Sequence, residues 1–139
     1  MIVIPATILL VIFFLLSGLH FHWAFGGRWG LASAIPQENG VPIFTPGSLA
    51  TALVALALLG AAVVPLWRAG LFTIGPVWLP RAGMGLLAVV FALRAIGDFR
   101  YCGFFKRIKG TAFARNDTRL YTPLCALVSA LAVWLALMG

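Results

Sequence analysis

The first charged residue of this chain is Arg28, and the apolar body that precedes it, Ile8-Leu9-Leu10-Val11-Ile12-Phe13-Phe14-Leu15-Leu16, most restricts what the chain can fold into. In hydrocarbon no water is at hand for backbone N–H and C=O groups, so such a stretch satisfies them internally, as a helix. Taken from Pro5 to Phe25 at ~1.5 Å per residue, that helix is about 31 Å long and crosses a bilayer. Pro5 is tolerated because the first-turn N–H has no intrahelical partner. A cleaved export signal is the rival reading, with Ala32-Ser33-Ala34 as its site. No Lys or Arg precedes the apolar run and that site lies well beyond its end, so a retained span fits better.

Three more spans follow. Gly26-Gly27 ends the first helix, and Arg28-Trp29-Gly30 reads as a basic and aromatic interfacial turn. A proline-rich, irregular connection leads to the second span, 46–67, which Thr45-Pro46 opens and Trp67-Arg68 closes at an interface. The third runs over 80–100, with Gly83 and Gly85 allowing a neighbour to approach. Past Arg100 the helix is expected to continue as an amphipathic interfacial segment, with Phe104, Phe105 and Ile108 toward lipid and Lys106, Arg107 and Lys109 toward water. Gly110 stops it, and Thr122-Pro123 caps a fourth span, 123–139. The expectation is an all-α fold: an integral membrane four-helix bundle, one domain over 1–139, with a basic cytoplasmic loop between spans three and four.

Composition agrees, since 63% hydrophobic and 9% charged residues with a mean hydropathy of +1.07 exclude an ordinary soluble domain. The net charge of +7 would suit nucleic acid, but the basic residues sit beside apolar spans. Membrane lipids, anionic ones above all, are the expected partners and nucleic acid is not. Eight basic residues (Arg28, Arg94, Arg100, Lys106, Arg107, Lys109, Arg115 and Arg119) fall on the face shared by the first and third connections, against Arg68 and Arg81 on the other. The positive-inside rule then places the eight-charge face in the cytoplasm and both termini outside it. There Cys102 and Cys125 stay reduced, and the sequon Asn116-Asp117-Thr118 is inert.

The polar residues concentrate after the third span. On a continuing helix Arg94, Asp98, Tyr101 and Phe105 share one face, so Arg94 and Asp98 would pair. The pair would either hold an anionic or quinone headgroup, or simply neutralise a snorkelling arginine at the helix end. His20 and His22, two residues apart, point about 200° from each other and cannot ligate one ion from a regular helix. No third histidine is present to complete a haem or metal site, so no metal and no cofactor is expected. Neither Ser-His-Asp, HExxH nor a nucleotide-binding glycine loop occurs.

Three blocks, His20-Phe21-His22-Trp23-Ala24-Phe25-Gly26-Gly27-Arg28-Trp29-Gly30, Arg94-Ala95-Ile96-Gly97-Asp98-Phe99-Arg100-Tyr101 and Asp117-Thr118-Arg119-Leu120-Tyr121-Thr122-Pro123-Leu124-Cys125, resemble small bacterial four-span proteins grouped as domain of unknown function 3995. The resemblance implies a multi-pass protein of the bacterial inner membrane and brings no activity with it. The leading expectation is a binding protein whose cytoplasmic mouth holds an anionic, lipid-like ligand or docks a membrane-protein partner, through Trp23, Arg28, Trp29, Arg94, Arg100, Tyr101, Asp117, Arg119 and Tyr121. The alternatives are a membrane enzyme acting on a lipid, isoprenoid or quinone, with Asp98 or His20 as its acid or base, and an oligomeric transporter component.

Overall fold

The structure, a computed structural model, describes residues 1–138. Helix α1 (Val3–Ala24) is apolar on every face, as expected of a helix solvated by lipid, yet only one stripe, Ala6, Leu9, Phe13 and Ser17, is buried. That stripe packs along α3 (Ser48–Arg68), whose facing residues Thr51, Ala55, Ala62 and Pro65 are small or compact enough for close contact. The second extensive pairing joins α4 (Trp78–Ile96) to α6 (Thr122–Leu137), through Met84 and Ala88 on one side and Val128, Ala132 and Leu135 on the other. One serine hydroxyl is set into each pairing. Ser17 Oγ donates to the Ala55 carbonyl at 2.7 Å, and Ser129 Oγ donates to that of Ala88 at 2.8 Å. The two pairs then meet chiefly across α3 and α4, where a Cβ on Gly83 would lie 2.9 Å from Val64 Cγ1, so this glycine is where the backbone comes close. Gly85 faces open space.

Four helical segments are long and apolar enough to cross a membrane: Val3–Ala24, Ser48–Arg68, Trp78–Ile96 and Ala112–Leu137. The chain is thus a helical bundle and a multi-pass membrane protein. At the end of the bundle that holds the C-terminus of α6, Arg68 Nε donates to the Leu135 carbonyl at 2.8 Å and Arg68 Nη2 to that of Met138. A cation thereby satisfies carbonyls that the last turn of a helix leaves unpaired.

The connections differ from expectation in three places. The first is not wholly irregular: after the single turn α2 (Leu31–Ala34), β1 (Gln37–Glu38) pairs antiparallel with β2 (Val41–Pro42). Asn39 and Gly40 turn the hairpin with φ of 53° and 79°, the left-handed pair that a two-residue hairpin turn requires.

The expected interfacial helix after Arg100 is absent. Helix α4 stops at Gly97, whose φ of 86° and ψ of −169° only glycine adopts readily, and the chain doubles back on itself. A Cβ on Gly97 would stand 1.9 Å from the Cys102 carbonyl oxygen, and one on Gly103 would stand 2.3 Å from that of Ile96. The Phe104 amide returns to the Ala95 carbonyl at 2.9 Å, so this folded-back loop satisfies the end of the helix that it leaves.

Finally, the last span begins earlier than Pro123. Thr111 caps α5 (Ala112–Asn116), its hydroxyl oxygen accepting from the Ala114 amide at 3.0 Å, and α5 runs through a single π-helical turn, Asp117–Tyr121, into α6. Pro123 lacks the N–H that a regular helix would use and its ring crowds the preceding turn; the wider π turn gives it room without breaking the rod.

Gly97→Ala is expected to lower stability by ~2–3 kcal/mol or more, because both the backbone conformation and the space forbid a side chain. Thermal unfolding in detergent checks this. Gly85→Ala, which meets nothing within 4 Å, serves as the control and should be neutral or slightly stabilising.

Candidate functional site

Asp117 begins the π turn and is wholly shielded from solvent. A carboxylate so placed is tolerable only if its lone pairs are taken up and its charge is answered. Both conditions are met. Oδ1 accepts from Arg94 Nη2 at 2.8 Å, while Oδ2 accepts from Lys106 Nζ at 3.0 Å, the Gly103 amide at 2.9 Å and Thr122 Oγ1 at 2.9 Å. In the π turn the Thr122 amide reaches back to the Asp117 carbonyl, five residues away, which sets the two side chains on one face. The close crossing of Gly97 and Gly103 is what delivers the Gly103 amide and Lys106 to the same carboxylate.

The charged centre expected near Arg94 therefore exists, but with a different acid. Asp98 does not pair with Arg94. It is exposed, and its Oδ1 accepts the amides of Arg100, Tyr101 and Cys102 at 2.9, 2.7 and 3.0 Å. Burial alone would raise its pKa; the amides of Cys102, Arg100 and Tyr101 outweigh that and hold it below the ordinary aspartate value. The reason for the difference is geometric, since the shared face of Arg94, Asp98 and Tyr101 requires a helix that ends at Ile96. Lys106, expected in water, is buried with its side chain 4% exposed, and its ammonium also donates to the Gly103 carbonyl at 3.2 Å.

A second polar group lies nearer the surface. Tyr101 donates its hydroxyl to Glu38 Oε2 at 2.9 Å, and Arg100 Nη2 reaches both oxygens of Glu38 at 3.1 and 3.2 Å. The Arg100 guanidinium also sits over the Tyr101 ring, 5.2 Å from its centroid. The Tyr101 hydrogen bond first, and Arg100 second, hold the Glu38 carboxyl below its ordinary pKa, and the same bond raises that of Tyr101. This latch fastens the hairpin of the first connection to the third. Beside it Tyr121 donates to the Ser33 carbonyl at 3.2 Å and packs its ring on Phe113.

The remaining expected residues spread around this end of the bundle rather than join the centre. Trp23 Nε1 donates to the Trp29 carbonyl at 2.8 Å, and the Trp29 ring is exposed. Arg28 is exposed. His20 Nδ1 bonds the Leu16 carbonyl at 2.7 Å, and its ring meets that of Trp23 edge-on. His20 and Trp23 line an apolar cavity of about 320 Å³ between α1, α3 and the first connection, together with Ile35, Phe44, Thr51 and Val54. On the opposite helix pair Arg119 lines a basic depression of about 190 Å³ with Lys106, Lys109, Arg115 and Thr118. Glu38, Lys106 and Thr122 were not among the expected residues. The Asn39-Gly40 dipeptide beside Glu38 was a hairpin signal; nothing in a run of basic residues marks Lys106 as the buried one.

Asp117→Asn is expected to cost ~3–5 kcal/mol, because it leaves Lys106 buried without its counter-charge, and adding Lys106→Met should recover part of the loss. Thermal unfolding of the single and double variants measures both. The Glu38 latch has a different signature. Its stabilisation is complete above the pKa of a free glutamate and is lost as pH falls through the depressed value in the fold. Amide protection over Gln37–Pro42, corrected for the intrinsic exchange rate at each pH, should therefore fall below about pH 4, and Glu38→Gln should remove that fall.

A profile for the family described as "Protein of unknown function (DUF3995)" matches residues 13–132. No curated protein matches the chain. No solved structure matches it either.

Proposed function

The chain belongs to that family, and from this premise we propose that it is a lipid-binding membrane protein that holds anionic headgroups at the basic depression beside the fourth span. One observation carries the reading. Lys106, Lys109, Arg115 and Arg119 surround a single concavity of about 190 Å³ to which no carboxylate contributes among the described lining residues. Its floor is pre-organised, since two of the three Lys106 ammonium protons are committed to Asp117 and Gly103 and one is left. Arg115, on the rim, is steadied by a 2.8 Å bond from Nη1 to the Gly110 carbonyl. Thr118 adds a hydroxyl. Phosphate oxygens are acceptors only, so converging donors with positive charge suit them.

The basic excess on the first and third connections argues that this end faces the cytoplasm of a bacterial inner membrane, where anionic lipid is encountered. Arg107→Cys, exposed on that connection, in a chain with Cys102 and Cys125 replaced by Ser, should react with a membrane-impermeant maleimide only in inside-out vesicles. The enzyme reading finds less support. Asp98 holds an exposed turn through Oδ1, both oxygens of Asp117 are taken up by four donors, and neither residue lines the apolar cavity or the basic depression.

Native mass spectrometry from mixed phosphatidylglycerol and phosphatidylcholine tests the proposal. The protein is expected to retain phosphatidylglycerol preferentially. Lys109→Ala with Arg119→Ala should reduce that preference by about tenfold or more, at about 1 kcal/mol per cation. Arg28→Ala should leave it unchanged. Equal retention of both lipids by the unaltered protein would sink the proposal.

A further inference from the structure

The apolar cavity between α1, α3 and the first connection lies apart from the basic depression, and its chemistry is different. No carboxylate, lysine or arginine lines it, so a charged head would enter without a fixed counter-charge. Three side chains in its wall carry polar hydrogen, and each has already placed it. Trp23 Nε1–H goes to the Trp29 carbonyl, Thr51 Oγ1–H to the Gly47 carbonyl at 2.9 Å, and a carbonyl can only accept, so the 2.7 Å contact of His20 Nδ1 with Leu16 means that Nδ1 bears the proton. In the tautomer that carries its proton on Nδ1, Nε2 is the ring nitrogen left to accept, and Thr51 Oγ1 keeps its lone pairs. The polar side chains of the wall have thus spent their hydrogens and keep lone pairs to offer.

We propose that this cavity is a binding site for an uncharged, membrane-dissolved amphiphile that has an apolar body ending in a hydroxyl group, the hydroxyl donating to His20 Nε2. The geometry points to an alcohol or hydroquinone over a ketone, ester, ether or quinone of the same shape, because those offer only acceptors to side chains whose polar hydrogens are already placed. The volume of about 320 Å³ lies at the small end of ligand cavities, enough for a ring or the head of a prenyl chain with the tail left outside. Access fits that picture. Phe44, Pro46, Ala50 and Val54, which bound the cavity, are exposed, so a ligand arrives laterally from lipid along the outer side of α3. Trp23 offers an indole face as one wall, held in place by its bond to Trp29 and by the edge of His20.

The test uses the full chain in phosphatidylcholine nanodiscs with a diazirine analogue of farnesol, cross-linked residues being located by peptide mass spectrometry. Labelling is expected within 20–35 and 44–54, and farnesol should compete at about threefold to tenfold lower concentration than farnesyl methyl ether, the difference of one hydrogen bond. A prenylated hydroquinone that competes better than its own quinone would identify a quinol as the source; competition by farnesol with none from the hydroquinone would identify an isoprenoid alcohol. His20→Phe, which keeps the ring and loses Nε2, should abolish the preference for alcohol over ether, and Ala50→Trp, which fills the mouth, should abolish specific labelling. Equal competition by alcohol and ether on the unaltered protein overturns the proposal without recourse to any variant. So does labelling that Ala50→Trp leaves unchanged. Loss of phosphatidylglycerol preference bears on the basic depression alone and leaves this site untouched.

Discussion

The Asp117 carboxylate is the group that this end of the bundle is built to satisfy. Taking an ionised carboxylate out of water costs several kcal/mol even after relaxation, and hydrocarbon beyond the protein offers no relief. The chain meets the cost with donors drawn from three places: Arg94 at the end of α4, Gly103 and Lys106 in the loop that folds back, and Thr122 at the start of α6. The carboxylate is the one group that bonds all three of those segments among the described residues. The turn that presents it is π-helical because Pro123 follows, and the loop that reaches it turns at Gly97 because only glycine fits. Two local backbone irregularities that look like defects in their helices thus bring the donors and the carboxylate to one point.

Elsewhere the polar contacts follow the economy of a membrane interior. Helices in lipid gain little from mutual burial of apolar surface, so association depends on close packing and a few interhelical hydrogen bonds, each worth about 0.6 kcal/mol. Ser17 to Ala55 and Ser129 to Ala88 supply one such bond to each major helix pair, at sites where alanines bring the backbones together. These are too weak to specify the bundle alone. The ends specify it: Arg68 ties α3 to the last carbonyls of α6 at one side of the membrane, and Asp117 ties α4 to α6 at the other.

How much of this the residues reveal in advance depends on the range of the interaction. Apolar runs report their solvent directly, so the four spans were legible from Ile8–Leu16 and its counterparts, and prolines 46 and 80 marked where two of them begin to within a turn. The polar centre was legible in its cation and in its location, because an arginine at the end of an apolar span, such as Arg94, calls for an acid. Which acid was not legible. Helical periodicity nominated Asp98 at i+4, while the fold delivered Asp117, 23 residues away, through a loop whose path depends on the near-contact of Gly97 and Gly103. Periodicity describes neighbours on one rod and is silent on a chain that turns back. Thr122-Pro123 misled for a related reason: it has the spelling of a helix start, but the hydroxyl of Thr122 is bonded to Asp117 inside a helix already under way.

The latch between Glu38, Arg100 and Tyr101 shows why the two halves of the bundle need more than a surface ion pair to stay together at this end. Arg100 keeps 59% of its side chain in solvent, where water screens its attraction for Glu38. The neutral phenol is the better placed partner, since Tyr101 is half-buried and gives a 2.9 Å bond without a second charge to desolvate. The same two connections also meet where α2 packs on α5, and Ile35 and Phe113, one on each connection, are 8% and 4% exposed. Ile35 thereby belongs both to the joint between the halves and to the wall of the apolar cavity, so the shape of that cavity is set by the same packing that fastens the first connection to the third.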